Sequence, residues 1–525
     1  MPVPFEAGYG KGGRIHSVCL LFCLYHRRQT AFPDFFRNGS GKQHKGNNFK
    51  TGERNMLTSI DNAVNAVSGI LYKPYVVPLL LILAGLYFTF RLRFVQIRLF
   101  AESIRVVREK PVNLGATSSF GALMVSTASR VGTGNIMGVS TALCLGGPGA
   151  IFWMWLTAIL GGASAFVEST LAQIYKKRDS EGGSYGGPSY YMEQALGQRW
   201  LGVVFAIVLI LTYVVGYNML AAYNTQDVFS TFSFYTKSTP VVVGAVLAAL
   251  FGFCVLGGGK RLTRVTEVLV PVMGILYVLI SLYVVIRNFG QLPAVFGRIF
   301  RSAFDFQAIL GGFTGSCVMW GIKRGLYSNE AGMGSAPNAA AAADVSHPAK
   351  QGLVQMLSVF IDTLLICSAT AFLCLFSGVE PVAEAAGATY VQACTRTALG
   401  SFGAIFIAVA VCLFAFTTLL GNYYYTESCL RFIMKKEPGK AFLFVYRLCA
   451  TALIFAGACI SAGLAWDSAD MMQGLMVIIN VPVIVILAKP AIAALRDYEW
   501  QRRKGKLPAY RGAANGVKDT DFWQD

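Results

Sequence analysis

Two glycine-rich interruptions of long apolar segments constrain this chain more than any other feature. The first, residues 131–135 (VGTGN), lies inside an apolar stretch that runs from about Ser119 to Leu145. Each glycine in a helix interior costs about 1 kcal/mol relative to alanine. Backbone groups released by a helix break inside a bilayer must find partners within the protein, so a break is tolerated mainly where it lines a cavity. The alternative is that these glycines only allow close helix packing.

The second interruption, Gly311-Gly312-Phe313-Thr314-Gly315, falls at the corresponding place in the second half of the chain. A broken helix presents free carbonyls at the end of its first half and free N–H groups at the start of its second half. Paired breaks of this kind hold ions and small zwitterions in membrane transporters. The pair of interruptions therefore favours a binding site over simple close packing.

The composition is that of an all-α polytopic membrane protein. Of the 525 residues, 54% are hydrophobic and 14% are charged, whereas about a quarter of a soluble domain is charged. We predict about eleven transmembrane helices, each long enough to cross a hydrocarbon core of about 30 Å. The predicted spans are approximately 75–92, 118–145, 149–174, 199–220, 240–257, 266–287, 305–322, 351–378, 399–430, 443–465 and 471–489.

Ten of these spans divide into two halves of five, residues 118–287 and 305–489, and each half opens with its glycine-broken segment. Because five is odd, the halves have opposite orientations, which is the inverted-repeat plan of secondary transporters. One extra helix precedes the repeats, within residues 56–117, together with a cytoplasmic loop. Residues 490–525 are predicted to form a cytoplasmic tail.

Lysine and arginine are concentrated in alternate loops, which explains the net charge of +18 without a nucleic acid partner. The positive-inside rule then places the C-terminus in the cytoplasm and the N-terminus outside. The basic loops lie within residues 91–110, 176–199, 260–264, 323–350, 431–440 and 496–506.

Residues 1–55 differ from the rest of the chain because they carry nine Lys/Arg and only three acidic residues. Their apolar run at 18–25 is too short to span a bilayer, and no small-residue cleavage site follows it. Two interpretations stay open. The tail is a disordered extension, or it is an upstream artefact and translation starts at Met56.

The titratable side chains do not assemble a catalytic or metal cluster. Three of the four histidines lie in the N-terminal tail, and the fourth is His347. Most of the 12 cysteines lie in apolar segments, where they behave as small apolar residues. We therefore predict a protein that is not an enzyme, has no cofactor and has no obligate protein partner.

Five motifs and a following His347-Pro348 resemble the alanine or glycine:cation symporter family over about residues 56–490. The resemblance implies the leucine-transporter fold, sodium as coupling ion, and uptake of a small neutral amino acid, alanine or glycine, across a prokaryotic inner membrane. The motifs are 130–138 (RVGTGNIMG), 146–155 (GGPGAIFWMW), 168–176 (ESTLAQIYK), 186–192 (GGPSYYM) and 324–337 (RGLYSNEAGMGSAP).

The helix breaks supply groups for both ends of an amino acid. We predict that backbone N–H groups near Thr133 and Gly134 receive the carboxylate, and that carbonyls near Phe313 and Thr314 accept from the ammonium group. Asn135 locks the first break, caps the half-helix, or does both. The predicted substrate-binding residues are Gly132, Thr133, Gly134, Asn135, Gly312, Phe313, Thr314, Gly315 and Asn422.

The resembled fold also implies a sodium site between carbonyls before the first break and hydroxyls on the eighth repeat helix, here 399–430. The predicted ligands are the carbonyls of Ala128 and Val131 and the hydroxyls of Thr417 and Thr418. The alternative is that each hydroxyl bonds back to the carbonyl four residues earlier.

Charged residues inside apolar segments are functional candidates. Arg130 either takes the place of a second sodium ion or pairs with Glu168 or with carbonyls near the cytoplasmic mouth. Asp362 lies midway through span 351–378 and faces protein, with a partner that the sequence does not identify. The predicted inner gate, at the cytoplasmic end of the second broken segment, consists of Arg324, Asn329 and Glu330; a loop cap is an equal alternative for Asn329.

Other substrates and coupling ions stay open. Asn422 and Ala222 stand where many members of the resembled family carry Trp and Gln, so sodium-coupled uptake of glutamine or another neutral amino acid is an alternative. A proton-coupled carrier is another, with Asp362 or Glu168 as the titrating carboxylate.

Overall fold

The computed structural model describes residues 48–113, 116–179, 182–256, 259–312, 315–517 and 520–523. The chain divides into two compact units, 1–58 and 59–525, and the packing described below belongs to the second. Most of the tail predicted at 1–55 lies outside the described residues, so both interpretations of it stay predictions.

The described part of the chain is almost entirely helical, with one short antiparallel hairpin of β1 (Lys177–Arg178) and β2 (Ser184–Tyr185). The helices are α1 Asn48–Leu71, α2 Val77–Arg91, α3 Val95–Arg98, α4 Phe100–Val107, α5 Ser119–Arg130, α6 Met137–Gly146, α7 Gly149–Ile174, α8 Pro188–Gln194, α9 Arg199–Asp227, α10 Thr239–Leu256, α11 Gly259–Arg287, α12 Leu292–Ala303, α13 Phe306–Gly311, α14 Cys317–Asn329, α15 Pro337–Ala342, α16 Pro348–Leu375, α17 Ala388–Leu399, α18 Ser401–Met434, α19 Lys440–Ala458, α20 Ala462–Ile486 and α21 Ala488–Arg503.

Eight of the described helices are long and apolar enough to cross a membrane: α7, α9, α10, α11, α16, α18, α19 and α20. The helix α2 is apolar but shorter. Two further segments, α5–α6 and α14–α15, are interrupted helices. The all-α membrane fold predicted from composition is confirmed, whereas the exact count of eleven spans stays a prediction.

The first helix break lies where the sequence predicts it. The helix α5 ends at Arg130, a 3₁₀ turn covers Thr133–Asn135, and α6 starts at Met137. A Cβ atom at Gly132 would lie 2.1 Å from the Thr418 hydroxyl oxygen, so only glycine fits at this contact.

A further helix break, here called the second break, lies between α14 and α15, beyond the predicted position at 311–315, which falls between the end of α13 at Gly311 and the start of α14 at Cys317. Glu330, Gly332 and Gly334 adopt φ angles of +54°, +82° and +84°, which end a right-handed helix. The glycines at 311–315 instead precede Ser316, whose hydroxyl caps α14 by accepting from Met319 N. The predicted span 305–322 covers α13 and the first part of α14, which continues to Asn329.

The interrupted segment α14–α15 runs along the whole length of α7. Close contacts in order along α7 join Ala150 to Gly321, Gly161 to Ala331, and Gln173 to Ala340. Lys323 and Arg324 therefore lie beside the first half of α7, whereas Lys176 follows its last turn. The prediction that all three belong to loops on one side of the membrane is wrong, because Lys323 and Arg324 are inside a helix.

The C-terminal segment, residues 504–517 and 520–523, packs back on the end of the bundle where α7 ends. The Trp523 indole N–H donates to the Gln173 carbonyl at 2.8 Å, and Tyr510 N donates to the Ser346 carbonyl at 3.0 Å. His347 packs edge-on against Tyr510, with ring centroids 5.2 Å apart. We call this segment the C-terminal latch.

We expect the C-terminal latch to loosen as the pH falls from 7.5 to 5.5. Burial lowers the pKa of His347 below its ordinary value of 6.5. A base with a depressed folded-state pKa stays neutral in the latch but gains a proton when released, so stability is lost below about pH 6.5. Lys350 opposes protonation of His347 and Asp497 favours it, but desolvation is the largest cause.

Hydrogen exchange of residues 505–517, corrected for intrinsic pH dependence, should rise by up to about tenfold at pH 5.5. The control is His347→Asn, which keeps an acceptor for Ala349 N but cannot titrate in this range. Equal pH dependence in both proteins would contradict the prediction.

Candidate functional site

Asn135 closes the first helix break. Its side-chain oxygen accepts from Gly132 N at 2.8 Å, and its own backbone N–H donates to the Gly132 carbonyl at 3.2 Å. The neighbouring Thr133 hydroxyl accepts from Asn224 Nδ2 at 2.9 Å. Residues 131–135 are buried. Asn135 thus locks the break, whereas the N-cap of α6 is Ile136, which makes no side-chain capping bond.

Asp362 is the partner of Asn135, a pairing that sequence reasoning missed. Asn135 Nδ2 donates to Asp362 Oδ1 at 2.6 Å, while the hydroxyls of Ser328 and Thr363 each donate to Asp362 Oδ2 at 2.7 Å. Asp362 lies in a π-helical stretch of α16, Phe360–Cys367, and such stretches are frequent at functional sites. One carboxylate therefore connects the first break to α14 and α16.

Glu168 on α7 occupies the second helix break. Its carboxylate accepts from Gly332 N at 3.3 Å and from Gly334 N at 3.1 Å. Asn480 on α20 donates to the same carboxylate and to the Gly332 carbonyl, each at 2.9 Å. These side chains satisfy backbone groups that the break releases.

Arg130 is almost completely buried beside the first break. Its Nη1 donates to the Gln355 carbonyl at 3.2 Å, and Nε and Nη2 have no hydrogen-bond partner among the described residues. It interacts electrostatically with Glu168, Glu330 and Asp362. Arg130 therefore bonds to a carbonyl rather than forming a close ion pair with Glu168.

A polar network joins the two breaks through Ser129, the residue before Arg130. Ser129 Oγ lies 2.6 Å from Asn422 Oδ1 and 2.9 Å from Glu330 Oε1. Asn422 Nδ2 donates to Asn218 Oδ1 at 2.9 Å. Asn422 on α18 is thus beside the first break, as its predicted role requires.

The two hydroxyls of the predicted sodium pair have different surroundings. The Thr417 hydroxyl lies 3.1 Å from the carbonyls of both Leu413 and Phe414, which is the back-bonded alternative. The Thr418 hydroxyl oxygen is buried, has no hydrogen-bond partner among the described residues, and faces Gly132. An unpartnered buried polar atom needs an explanation, and an absent ligand is one.

The α18 helix also approaches the predicted carbonyl ligands closely. A Cβ atom at Gly421 would lie 2.5 Å from Ser129 N and 3.1 Å from the Ala128 carbonyl carbon. Both Ala128 and Val131 are buried. The residues present therefore fit a small cation held by carbonyls and one hydroxyl.

Arg324 forms a buried ion pair with Asp470 on α20. Its Nη2 lies 2.6 Å from Asp470 Oδ2, and Lys323 Nζ reaches the same oxygen at 2.7 Å. The guanidinium also stacks on Trp466, 4.3 Å from the ring centroid. Arg324 thus lies inside α14, beside the first half of α7, and not at the break itself.

The other two predicted gate residues lie at the second break itself. Asn329 Oδ1 accepts from Ala331 N at 3.0 Å, which is the local cap weighed as an alternative. Glu330 bonds to Ser335 at 2.8 Å and contacts Ser129. The predicted gate is therefore divided between two places.

Tyr327 covers the first break and was missed by sequence reasoning. A Cβ atom at Gly134 would lie 2.7 Å from two carbons of its ring. Tyr327 packs edge-on against Tyr217 and Trp466, with centroid distances of 4.8 and 5.4 Å. The only sequence signal was its place in the RGLYSNEAGMGSAP motif.

The residues predicted to bind substrate divide into two groups. One group lies at the first break, which is next to the second break; its members are Gly132, Thr133, Gly134, Asn135 and Asn422. Gly312 and Gly315 lie in the segment before α14, away from both breaks in sequence, and Phe313 and Thr314 lie outside the described residues.

Comparison with known proteins places this geometry in context. Residues 57–512 match the model of the sodium:alanine symporter family. The chain is 45% identical over 448 residues to the amino-acid carrier protein AlsT of Bacillus subtilis, covering 85% of this chain and 94% of that protein. It is 44% identical over 457 residues to the probable sodium/glutamine symporter GlnT of the same organism, covering 87% and 94%.

Among solved structures, the crystal structure of MhsT in complex with L-phenylalanine matches with a TM-score of 0.50 and 15% identity. The match covers 79% of this chain and 94% of that chain. At this identity the likeness shows the fold alone, which is the leucine-transporter fold.

We expect Glu168→Gln to destabilise the protein by about 1–3 kcal/mol. Glutamine keeps one acceptor oxygen, but its NH₂ group would face a backbone N–H of Gly332 or Gly334. The control is Glu193→Gln, which removes a partly exposed ion pair with Arg199 and should cost about 1 kcal/mol or less. Thermal unfolding of the purified proteins measures both, and equal destabilisation would contradict the role of Glu168.

Proposed function

Because this chain belongs to the sodium:alanine symporter family and is a sodium-coupled amino acid symporter, we propose that it carries alanine or glycine into the cell by alternating access. The observation that carries the sodium-coupled part of the proposal is the Thr418 hydroxyl, which faces the first helix break and has no partner among the described residues. The family is one of transporters, and the several apolar helices make the chain a multi-pass membrane protein.

The substrate carboxylate binds the backbone N–H groups of Thr133 and Gly134 in this proposal. Residues at the start of a helical turn have N–H groups without an intrahelical acceptor, and the local dipole favours an anion. The last carbonyls of α14 accept from the ammonium group, replacing the role predicted for Phe313 and Thr314. The Tyr327 ring packs over Gly134 and bounds the site on that side.

The sodium ion binds the Thr418 hydroxyl and the carbonyls of Ala128 and Val131. Support comes from the close approach of α18 to the end of α5 and from the neutral oxygen ligands, which suit a hard cation. Thr417 is left out of the ligand set because its hydroxyl already bonds to carbonyls of its own helix. A cation bound at the first break also helps to order the N–H groups that receive the substrate.

The Arg324–Asp470 pair forms a gate at the end of the bundle that holds the α6–α7 turn. With the predicted orientation this end faces outside. The pair is buried and stacked on Trp466, which also touches Tyr327 over the first break. Opening therefore separates an ion pair and uncovers Tyr327 in one movement of α14 against α20.

Glutamine is the second candidate substrate. The 44% identity to a probable sodium/glutamine symporter favours it. Asn422 places an amide beside the first break, and a polar substrate side chain would replace Ser129 or Asn218 as its partner. Pocket discrimination by one methylene is about 1–3 kcal/mol, so selection among small neutral amino acids is not absolute.

We expect Thr418→Ala to raise the half-saturating sodium concentration by about tenfold or more, which corresponds to about 1.4 kcal/mol of lost ion binding. The alanine KM in saturating sodium should change by less than about twofold, because Thr418 does not contact the substrate in this arrangement. Initial uptake rates over a sodium titration give both values.

The matched control is the neighbouring Thr417→Ala, which removes a hydroxyl that is already bonded to carbonyls. Its half-saturating sodium concentration should stay within about twofold of that of the unmodified protein, because losing this hydroxyl affects stability alone. Equal shifts in the two variants, or none in Thr418→Ala, would show that the sodium site is elsewhere.

We expect purified protein in voltage-clamped proteoliposomes to accumulate labelled alanine when an inward sodium gradient is imposed. A tenfold gradient supplies about 1.4 kcal/mol per ion, so accumulation reaches about tenfold at one sodium per substrate and about a hundredfold at two. A ratio of two would exclude Arg130 as the replacement of a second ion. Labelled glutamine under the same gradient ranks the two substrates.

Accumulation driven by a pH gradient without sodium would contradict the sodium mechanism and indicate the proton-coupled alternative. Preferential accumulation of glutamine would overturn alanine or glycine as the substrate while leaving the coupling intact.

A further inference from the structure

A cavity of about 200 Å³ lies between the end of α2 and the C-terminal helix α21, outside the two five-helix repeats. Its wall is strongly basic for its size. The charged residues that line it are Arg91, Arg93, Arg98, Arg496, Arg503 and Glu499.

The single carboxylate in this wall does not neutralise the five guanidinium groups. Glu499 lies 2.5 Å from Arg98 Nη1 and 3.5 Å from Arg503 Nη2. Arg91, Arg93 and Arg496 form no ion pair with any residue that the structure describes. Like charges around one cavity repel each other, so an anion between them would be bound favourably.

Backbone contacts hold the cavity wall in a defined shape. Arg98 donates to the carbonyls of Leu92 and Arg93, each at 3.1 Å. Arg93 and Phe94 both have left-handed backbone conformations, with φ angles of 54° and 56°. Such conformations are rare for residues other than glycine and mark turns that the surrounding structure enforces. Arg93 and Arg98 are therefore held in place by a turn with a defined backbone conformation.

Trp500 lines the same cavity, Phe90, Phe94 and Ile97 are sequence neighbours of its arginines, and all four side chains are exposed. Phe90, Phe94, Ile97 and Trp500 are 64%, 46%, 74% and 54% exposed. Aromatic residues of this kind, and tryptophan above all, concentrate where the bilayer meets water. An anion bound here would have hydrocarbon beside it, which suits a lipid better than a free phosphate ion.

We propose that this arginine cavity binds the phosphate headgroup of an anionic phospholipid, with the acyl chains lying against the exposed apolar side chains. Arginine forms paired hydrogen bonds with phosphate oxygens, and basic pockets between membrane helices are suited to such headgroups. The bound lipid ties α2, which precedes the repeats, to α21, which follows them. The proposal does not depend on the transported substrate.

The test is thermal unfolding of the full-length protein in detergent with added phosphatidylglycerol, phosphatidylcholine or inorganic phosphate. Phosphatidylglycerol should raise the apparent Tm by about 3–5 °C, whereas the other two additions should raise it by less than about 1 °C. The variant Arg93→Gln/Arg496→Gln should lose the response.

The control variant Arg301→Gln/Arg396→Gln removes two exposed arginines away from the cavity and should keep the full response. An equal response to phosphatidylcholine, or a full response in Arg93→Gln/Arg496→Gln, would overturn the proposal. A response to inorganic phosphate equal to that of phosphatidylglycerol would show a free-phosphate site and overturn the lipid assignment.

The single variant Arg496→Gln serves if the double variant does not fold, because Arg496 is exposed on α21 and has no ion pair among the described residues that the substitution would break. Native mass spectrometry of that variant should show at least about tenfold less retained phosphatidylglycerol than the unmodified protein, as loss of a charged hydrogen-bonding partner predicts. Undiminished retention would overturn the proposal.

Discussion

A helix can be interrupted inside a bilayer only when the protein supplies hydrogen-bond partners for the backbone that the interruption releases. In this structure one amide and one carboxylate meet that demand. Asn135 bonds across the first break, and Glu168 receives two backbone N–H groups of the second. Each of these groups is held by a further helix, through Asp362 for the first and Asn480 for the second. The breaks are thereby parts of one packed network.

The buried charges act mainly on the protein itself. Glu168 and Asp362 accept hydrogen bonds from backbone and side chains, and Arg130 lies among them with a carbonyl as partner. A buried charge is tolerated when hydrogen bonds and opposite charges surround it. In the proposed site the ion therefore meets neutral oxygens, above all the Thr418 hydroxyl. A neutral site can bind and release sodium without first breaking a strong ion pair.

Much of this arrangement was readable from the residue pattern. The low charge content and long apolar runs predicted an all-α membrane protein, and the first glycine-broken segment lies where the pattern placed it. The motif at 324–337 pointed to the correct family, and it contains the second break, although the glycines at 311–315 were chosen for that role. That region contains two glycine-rich runs, at 311–315 and 332–334. Local sequence does not show which run lies before the capped start of a helix and which run ends a helix in left-handed conformation.

What the sequence by itself determined was therefore the set of elements: apolar helices, an interruption at residues 131–135, and a pair of hydroxyls on a late helix. Tertiary structure alone decided how they meet. The Asn135–Asp362 bond joins residues 227 positions apart, which no local pattern encodes. Thr417 and Thr418 are neighbours, yet successive side chains on a helix point about 100° apart, so the rotation of α18 against the first break decides which hydroxyl is left free. That rotation depends on the packing of the whole bundle, and this is why the sequence proposed two ligands where the structure favours one.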